Sequence, residues 1–157
     1  MKPVYRGETK GQGRRVAVVA SRFNEEIVEK LVTGAVQTLT RCGVTEADRV
    51  VVWVPGAWEI PAAVRRLAVS GGWDGFVALG AIVQGETTHH EHLGREVAAS
   101  LMRFMETSGL PTAFGVLTVD SEEKAHARAG GEVGNKGVEC VEALLETLDV
   151  LEKIKTS

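Results

Sequence analysis

Apolar residues along the chain follow two periods. Four short, nearly unbroken runs are rich in β-branched residues: RVAVVA (Arg15 to Ala20), RVVVWVP (Arg49 to Pro55), GFVALGAIV (Gly75 to Val83) and TAFGVLTV (Thr112 to Val119). Runs of this kind are expected of strands covered on both faces. Between them the apolar positions recur every three or four residues, the helical period. Asn24 is a good N-cap for a helix carrying Ile27, Leu31, Val32, Ala35 and Leu39, which Gly43 stops. A second helix is predicted from about Glu59, with Pro61 in its first turn, to Gly71-Gly72. A long one follows from about Thr88 to Ser108, and a short one begins near Ser121. After Gly130-Gly131, the stretch GNKG opens a last helix with the stripe Val138, Val141, Leu144, Leu145, Leu148 and Leu151.

The resulting order, βαβαβαβαα, is that of an α/β protein with a parallel sheet and helices on both faces. Right-handed crossovers make a three-layer α/β/α sandwich with a four-stranded, flavodoxin-like sheet the expected outcome. Residues 1–14 are polar, basic and Gly-rich and read as an arm; residues 15–157 read as a single domain. A chain of 157 residues buries roughly 70% of its unfolded surface, so a core without staples is expected.

Composition narrows the function classes. The chain is 44% hydrophobic and 25% charged with a formal net charge of -3, and its basic residues form no long patch, which argues against nucleic acid as a partner. Cys42 and Cys140, far apart and each inside a predicted helix, read as buried or half-buried thiols in a reducing compartment. The N-terminal stretch lacks the apolar segment of a signal peptide, and the longest apolar run, FVALGAIV, is too short to cross a bilayer, so a cytoplasmic location is expected.

Open parallel sheets bind ligands at the carboxyl ends of their strands, which directs attention to four loops: SRFNEE, PGAWEIP, QGETTHHEH and TVDSEEK. Phe23 and Trp58 stand at the tips of the first two, each beside a polar group. Aromatic residues there either cap the core or form a stacking platform for a flat heterocycle. Glu59 reads as a charge favoured by a helix N-terminus or as a polar edge of that platform. In the third loop, Thr88 and Glu91 match a capping box, which places His89 in the first helical turn. Gly85, Glu86 and Thr87 then form a turn whose backbone N–H groups suit an anion such as phosphate, with the Glu86 side chain turned away.

Three of the four histidines cluster here, as His89, His90 and His92. His89 and His92 share a helical face but lack an evident third ligand, so no metal site is expected. A first-turn histidine feels the positive helix end, which favours the neutral ring and makes His89 the acid/base candidate. His90 and His92 read as surface or interface residues, and His126 as a polar helix residue. Arg128, in AHARAGG, is either a solvated charge or the bidentate partner of a phosphate held by the third loop of the same or a neighbouring subunit.

With these loops in place, the sequence resembles the lumazine synthases. The matching stretches are SRFNEEIVEKLVTGA, VPGAWEIPAAV, ALGAIVQGETTHHEH, AFGVLTVDSEEKAHARAG and GNKGVECVEALL, in order and with the family's spacing, over nearly all of the chain from about Arg15 onward. The resemblance implies condensation of 5-amino-6-(ribitylamino)uracil with 3,4-dihydroxy-2-butanone 4-phosphate to 6,7-dimethyl-8-ribityllumazine, phosphate and water, without metal or organic cofactor. It implies that Phe23 stacks on the pyrimidine, that Ala57, Trp58 and Glu59 contact that substrate, and that Ala81, Ile82 and Val83 line the pocket and meet the uracil edge. It also implies that Gly85, Glu86 and Thr87 hold the phosphate with Arg128 as counter-charge, that Phe114 and Lys136 approach from a neighbouring subunit, and that His89 transfers protons.

Four positions depart from the family's usual pattern, one of them Trp58, where Phe or Tyr is frequent, a change a stacking site tolerates. Gln84 stands where many members have Arg, Thr88 where Pro is frequent, and His90 where an aromatic residue is frequent. The resemblance implies pentamers, with the arm added as an edge strand to a neighbour's sheet. Because no insertion between Ala129 and Gly137 kinks the last helix, a shell of twelve pentamers is expected, with riboflavin synthase as a candidate partner. Two other classes compete: a flavodoxin-like carrier of flavin or nucleotide, and an inactive shell protein. The carrier is expected to place a Ser/Thr/Gly-rich phosphate loop after the first strand, where this chain has ASRFNEE.

Overall fold

The computed structural model describes residues 2–156; Met1 of the arm and Ser157 of the domain lie outside the described residues. Strand β1 (Val16–Ser21) is buried at every position. It lies between β2 (Arg49–Val54) and β3 (Gly75–Val83), and β3 pairs in turn with β4 (Thr112–Val119). All pairings are parallel and the order is β2-β1-β3-β4. The α/β, flavodoxin-like sheet is therefore as expected. The strand limits lie within one residue of the predicted ones, because a strand covered on both faces leaves an uninterrupted apolar run.

Alternate residues of each strand feed two cores. On one face, Val16, Val18 and Ala20 of β1 pack with helices α1 (Glu25–Arg41) and α5 (Lys136–Thr156). On the other, Ala17 and Val19 pack with α2 (Ile60–Ser70) and α3 (His89–Ser108). Each fully buried Val or Leu contributes about 1.5–3 kcal/mol relative to exposure, so the two faces together dominate the fold. Both cysteines are buried, as the sequence implied, and burial pushes the Cys140 thiol up to about 11.

Several local expectations are corrected. Strand β2 is an edge strand and is half-buried rather than fully covered, with Trp53 exposed. Helix α2 begins one residue late, after a single 3₁₀ turn over Ala57–Glu59, with Pro61 in its first turn. The stripe of α5 is buried at Val141, Leu144, Leu145 and Leu148, but Val138 is half-buried and Leu151 is exposed. Between α4 (Glu122–Ala127) and α5 a small antiparallel hairpin appears, β5 (Ala129–Gly131) with β6 (Gly134–Asn135). Its segment, AGGEVGN, carries no alternation that would have marked strands.

The arm is not a strand among the described residues. It lies along α5 of its own chain: the Glu8 N–H donates to the Asp149 carboxylate (2.8 Å), Lys153 donates to the Arg6 carbonyl (2.7 Å), and Arg14 pairs with Glu152. At Gly7 the approach is so close that a Cβ would collide with the Glu146 carbonyl. No described helix is long and apolar enough to cross a membrane.

Candidate active site

The carboxyl ends of β1, β2 and β3 release three loops on the same edge of the sheet, and a cavity of about 360 Å³ opens between them. The first loop is tied to the second by main-chain bonds: the Arg22 N–H donates to the Val54 carbonyl (2.7 Å) and the Phe23 N–H to that of Pro55 (3.1 Å). Phe23 and Trp58 thereby stand in the same wall, 71% and 65% exposed. An aromatic ring that merely capped the core would be covered; these two are available for stacking.

The cavity floor is the end of β3. Ala81 and Ile82 are buried, Val83 is half-buried, and all three line the wall with Ala57. The second half of the wall is the turn between β3 and α3, represented by Gly85 and Thr87, and then His89. Gln84 still donates its N–H to Val119 of β4 (2.9 Å), but among the described residues the N–H groups of Gly85, Glu86 and Thr87 have no protein acceptor. Such a turn at the start of a 20-residue helix is suited to an anion. Glu86 is exposed and is not part of the wall.

Two caps differ from expectation. Thr88 occupies the N-cap of α3, but its side chain makes no cap bond; instead the Thr87 hydroxyl accepts from the His89 N–H (3.2 Å). Asn24 occupies the N-cap of α1 in a left-handed conformation, and its side chain also makes no cap bond; its amide donates to the Ala81 carbonyl (2.7 Å). That bond holds the loop carrying Phe23 against the strand that forms the cavity floor.

His90 is the main correction. It is not a surface residue: it is 9% exposed and lines the cavity beside His89. The signal was present in the helical phase, because His90 precedes Leu93 by three residues and Gly94 by four, on the inward stripe that continues through Val97 and Leu101. Ser21, Gly56 and Leu93 also line the wall, small or apolar residues that no chemical motif marks in the sequence. Among the described residues, no group of three or more His, Cys, Asp or Glu is placed to hold a metal ion.

Five proposed contacts are not gathered in this cavity. Besides Glu86, Glu59 is exposed at the start of α2 and outside the wall. Arg128 lines a separate groove at the end of β4 with Asp120 and Lys124. Its carbonyl accepts from the Lys136 N–H (2.8 Å), so these two residues belong to one region. Phe114 is 37% exposed on β4, the strand at the other edge of the sheet.

The profile of the family described as 6,7-dimethyl-8-ribityllumazine synthase matches residues 13–152. The chain belongs to this lumazine synthase family. A 6,7-dimethyl-8-ribityllumazine synthase of Gemmatimonas aurantiaca is 46% identical over 149 residues, which cover 95% of this chain and 91% of that protein. Proteins of the same name from Nitratidesulfovibrio vulgaris and Desulfovibrio desulfuricans are each 43% identical over 148 residues, covering 94% of this chain and 95% of theirs. The activity of lumazine synthases is formation of 6,7-dimethyl-8-ribityllumazine from the aminouracil and the butanone phosphate, a transferase reaction of riboflavin biosynthesis.

Proposed function

We propose that the lumazine-forming condensation takes place in the cavity between the three loops, with the aminouracil on the Phe23/Trp58 side and the butanone phosphate on the Gly85–Thr87 side. One observation carries this reading: two exposed aromatic rings, an apolar floor, an anion-suited turn and a histidine opening a helix share a single cavity. Phe23 stacks on the pyrimidine, Ala57, Trp58 and Glu59 contact the same substrate, and Ala81, Ile82 and Val83 meet the uracil edge. Gly85, Glu86 and Thr87 bind phosphate through the turn.

The chemistry is addition of an amine to a ketone, loss of water to an imine, elimination of phosphate, ring closure and a second dehydration. The amine must lose a proton, the departing hydroxyl must gain one, and a proton must leave carbon before phosphate does. His89, in the first turn of α3 at the phosphate end of the wall, is the side chain assigned to these transfers. Both substrates are reactive already, so holding them together supplies most of the acceleration, up to about 7–11 kcal/mol. Proton transfer by His89 adds a factor of about 10² to 10⁴.

Phe114, Arg128 and Lys136 complete the site from a neighbouring copy. Their separation from the cavity in one chain supports this division, as does the free outer edge of β4. Pentamers therefore form the working unit, and the uninterrupted α5 helix suits assembly of twelve pentamers into a shell. The arm reaches a neighbour's sheet from its seat on α5, riboflavin synthase is the candidate partner, and the cytoplasm is the expected compartment.

The test mixes purified protein with both substrates and follows phosphate release together with lumazine absorbance. Matched release and absorbance are expected, with His89→Ala slowing turnover about 100-fold. No product from wild type contradicts the reading, and total loss in a folded His89→Ala protein contradicts the account in which proximity dominates.

A further inference from the structure

The cavity wall holds two imidazoles, and His89 accounts for only one. His90 opens the inward stripe of α3, where an apolar residue would fill the space without penalty. Its Nε2 lies 4.0 Å from the Glu91 carboxylate. Its Nδ1 is the one buried side-chain nitrogen or oxygen without a partner among the described residues. Such an orphaned atom is unfavourable unless something arrives to pair with it.

The surroundings supply no partner. Asp120, at the end of β4, is close enough to feel the charge of His90, but its carboxylate is held by Lys124 of α4 at 2.8 Å. Thr118 of β4 faces Gly94, one helical turn further along α3. What remains is the cavity itself, which the His90 ring helps to line; Nδ1, buried in the orientation described, opens onto it only when the ring turns over.

The chemistry of the wall indicates what would enter. No Lys, Arg, Asp or Glu lines it, so His89 and His90 are the only side chains there able to carry charge. Beside them lie the unpaired N–H groups of the turn from Gly85 to Thr87. A flat uracil is served by the aromatic side; a phosphate ester, with oxygen acceptors in excess of the donors offered by the turn, needs further donors at the histidine side. The ring of His90 can turn by half a rotation about Cβ–Cγ, which exchanges Nδ1 with Cδ2 and keeps the same packed shape.

We propose that His90 is a binding residue for the phosphate-bearing substrate, donating to a phosphate oxygen through the ring nitrogen that the protein leaves unpaired. The proposal rests on reading this cavity as the lumazine-forming site. His89 then moves protons while His90 and the turn hold the anion, and the site obtains within one chain a donor that Arg128 does not provide there.

Steady-state kinetics of His90→Phe and His90→Gln in the full chain test this, with melting curves to confirm folding. His90→Phe is expected to raise KM for the butanone phosphate about 10-fold or more, in keeping with loss of a hydrogen bond to a charged group. KM for the aminouracil should move far less, and His90→Gln, still a donor, should recover part of the loss. Calorimetric titration with inorganic phosphate gives a readout independent of turnover, with a similar weakening expected in His90→Phe. An unchanged KM for the butanone phosphate, a rise confined to the aminouracil, or unchanged phosphate binding overturns the proposal. If wild type makes no lumazine yet binds phosphate in a His90-dependent way, the proposed function falls and the phosphate contact stands.

Discussion

Asn24 is the one non-glycine residue with positive φ among the described residues, at φ 61° and ψ 43°. A left-handed conformation costs most L-residues about 1–2 kcal/mol, and Asn less because its short side chain can bond locally. Here it bonds across the fold instead, to the Ala81 carbonyl, and so fixes the loop of Phe23 against the cavity floor. Asn24→Ala should therefore lose both backbone tolerance and the hydrogen bond, lowering stability by about 2–3 kcal/mol in denaturant unfolding. Asn24→Gly keeps the backbone tolerance and should lose about 1 kcal/mol. Equal stabilities for the two variants would contradict this account. The sequence identified Asn24 as a capping residue but not its bond, because a short amide at a strand end can serve a helix start or a neighbouring strand equally well. Thr87 and Thr88 show a related ambiguity: a capping box predicts that the Thr88 hydroxyl accepts from the Glu91 N–H, whereas Glu91 donates to the Thr88 carbonyl and the Thr87 hydroxyl accepts from the His89 N–H. His90 differs for another reason: its polarity suggests the surface, whereas its helical phase puts it on the buried stripe of α3.

At the scale of elements, the strands and the four longer helices were legible because each has a buried face that imposes its period on the sequence. What escaped is held by backbone and charge. The β5–β6 hairpin has no apolar pattern, and the close approach of α3 to β4 depends on Gly94, where a Cβ would come 2.6 Å from the Thr118 hydroxyl. The polar, Gly-rich arm carries no apolar period to seat it, yet Asp149 gathers it. That carboxylate is 7% exposed, and the Glu8 N–H, followed by Lys153 at 3.0 Å, holds it below its ordinary value of 3.8. A lowered carboxylate stabilises the fold above its ordinary value, and the contribution is lost as pH falls through the lower folded value. Asp149→Asn should therefore melt below wild type at neutral pH, and the gap should narrow in acid. A constant gap across that range would show that charge at Asp149 does not hold the arm.

Across the whole molecule, the residues assigned to one reaction fall in two places. Phe23, Trp58, the end of β3, Gly85, Thr87, His89 and His90 share the cavity, whereas Phe114, Arg128 and Lys136 lie toward the β4 edge and the α4–α5 connection. No pattern in a single sequence says whether such sets meet, because the meeting depends on a symmetry operation between copies. A ring of identical subunits solves this by pairing unlike patches of neighbouring chains. The direct measurement is complementation: His89→Ala and Arg128→Ala proteins are dissociated, mixed in equal amounts, reassembled and assayed for lumazine formation. If each site takes His89 from one chain and Arg128 from the next, random mixing restores about one site in four with both residues intact, so activity should rise well above either variant alone toward roughly a quarter of wild type. Activity no greater than the average of the two variants would place both residues in the same chain's site and contradict the shared-site account.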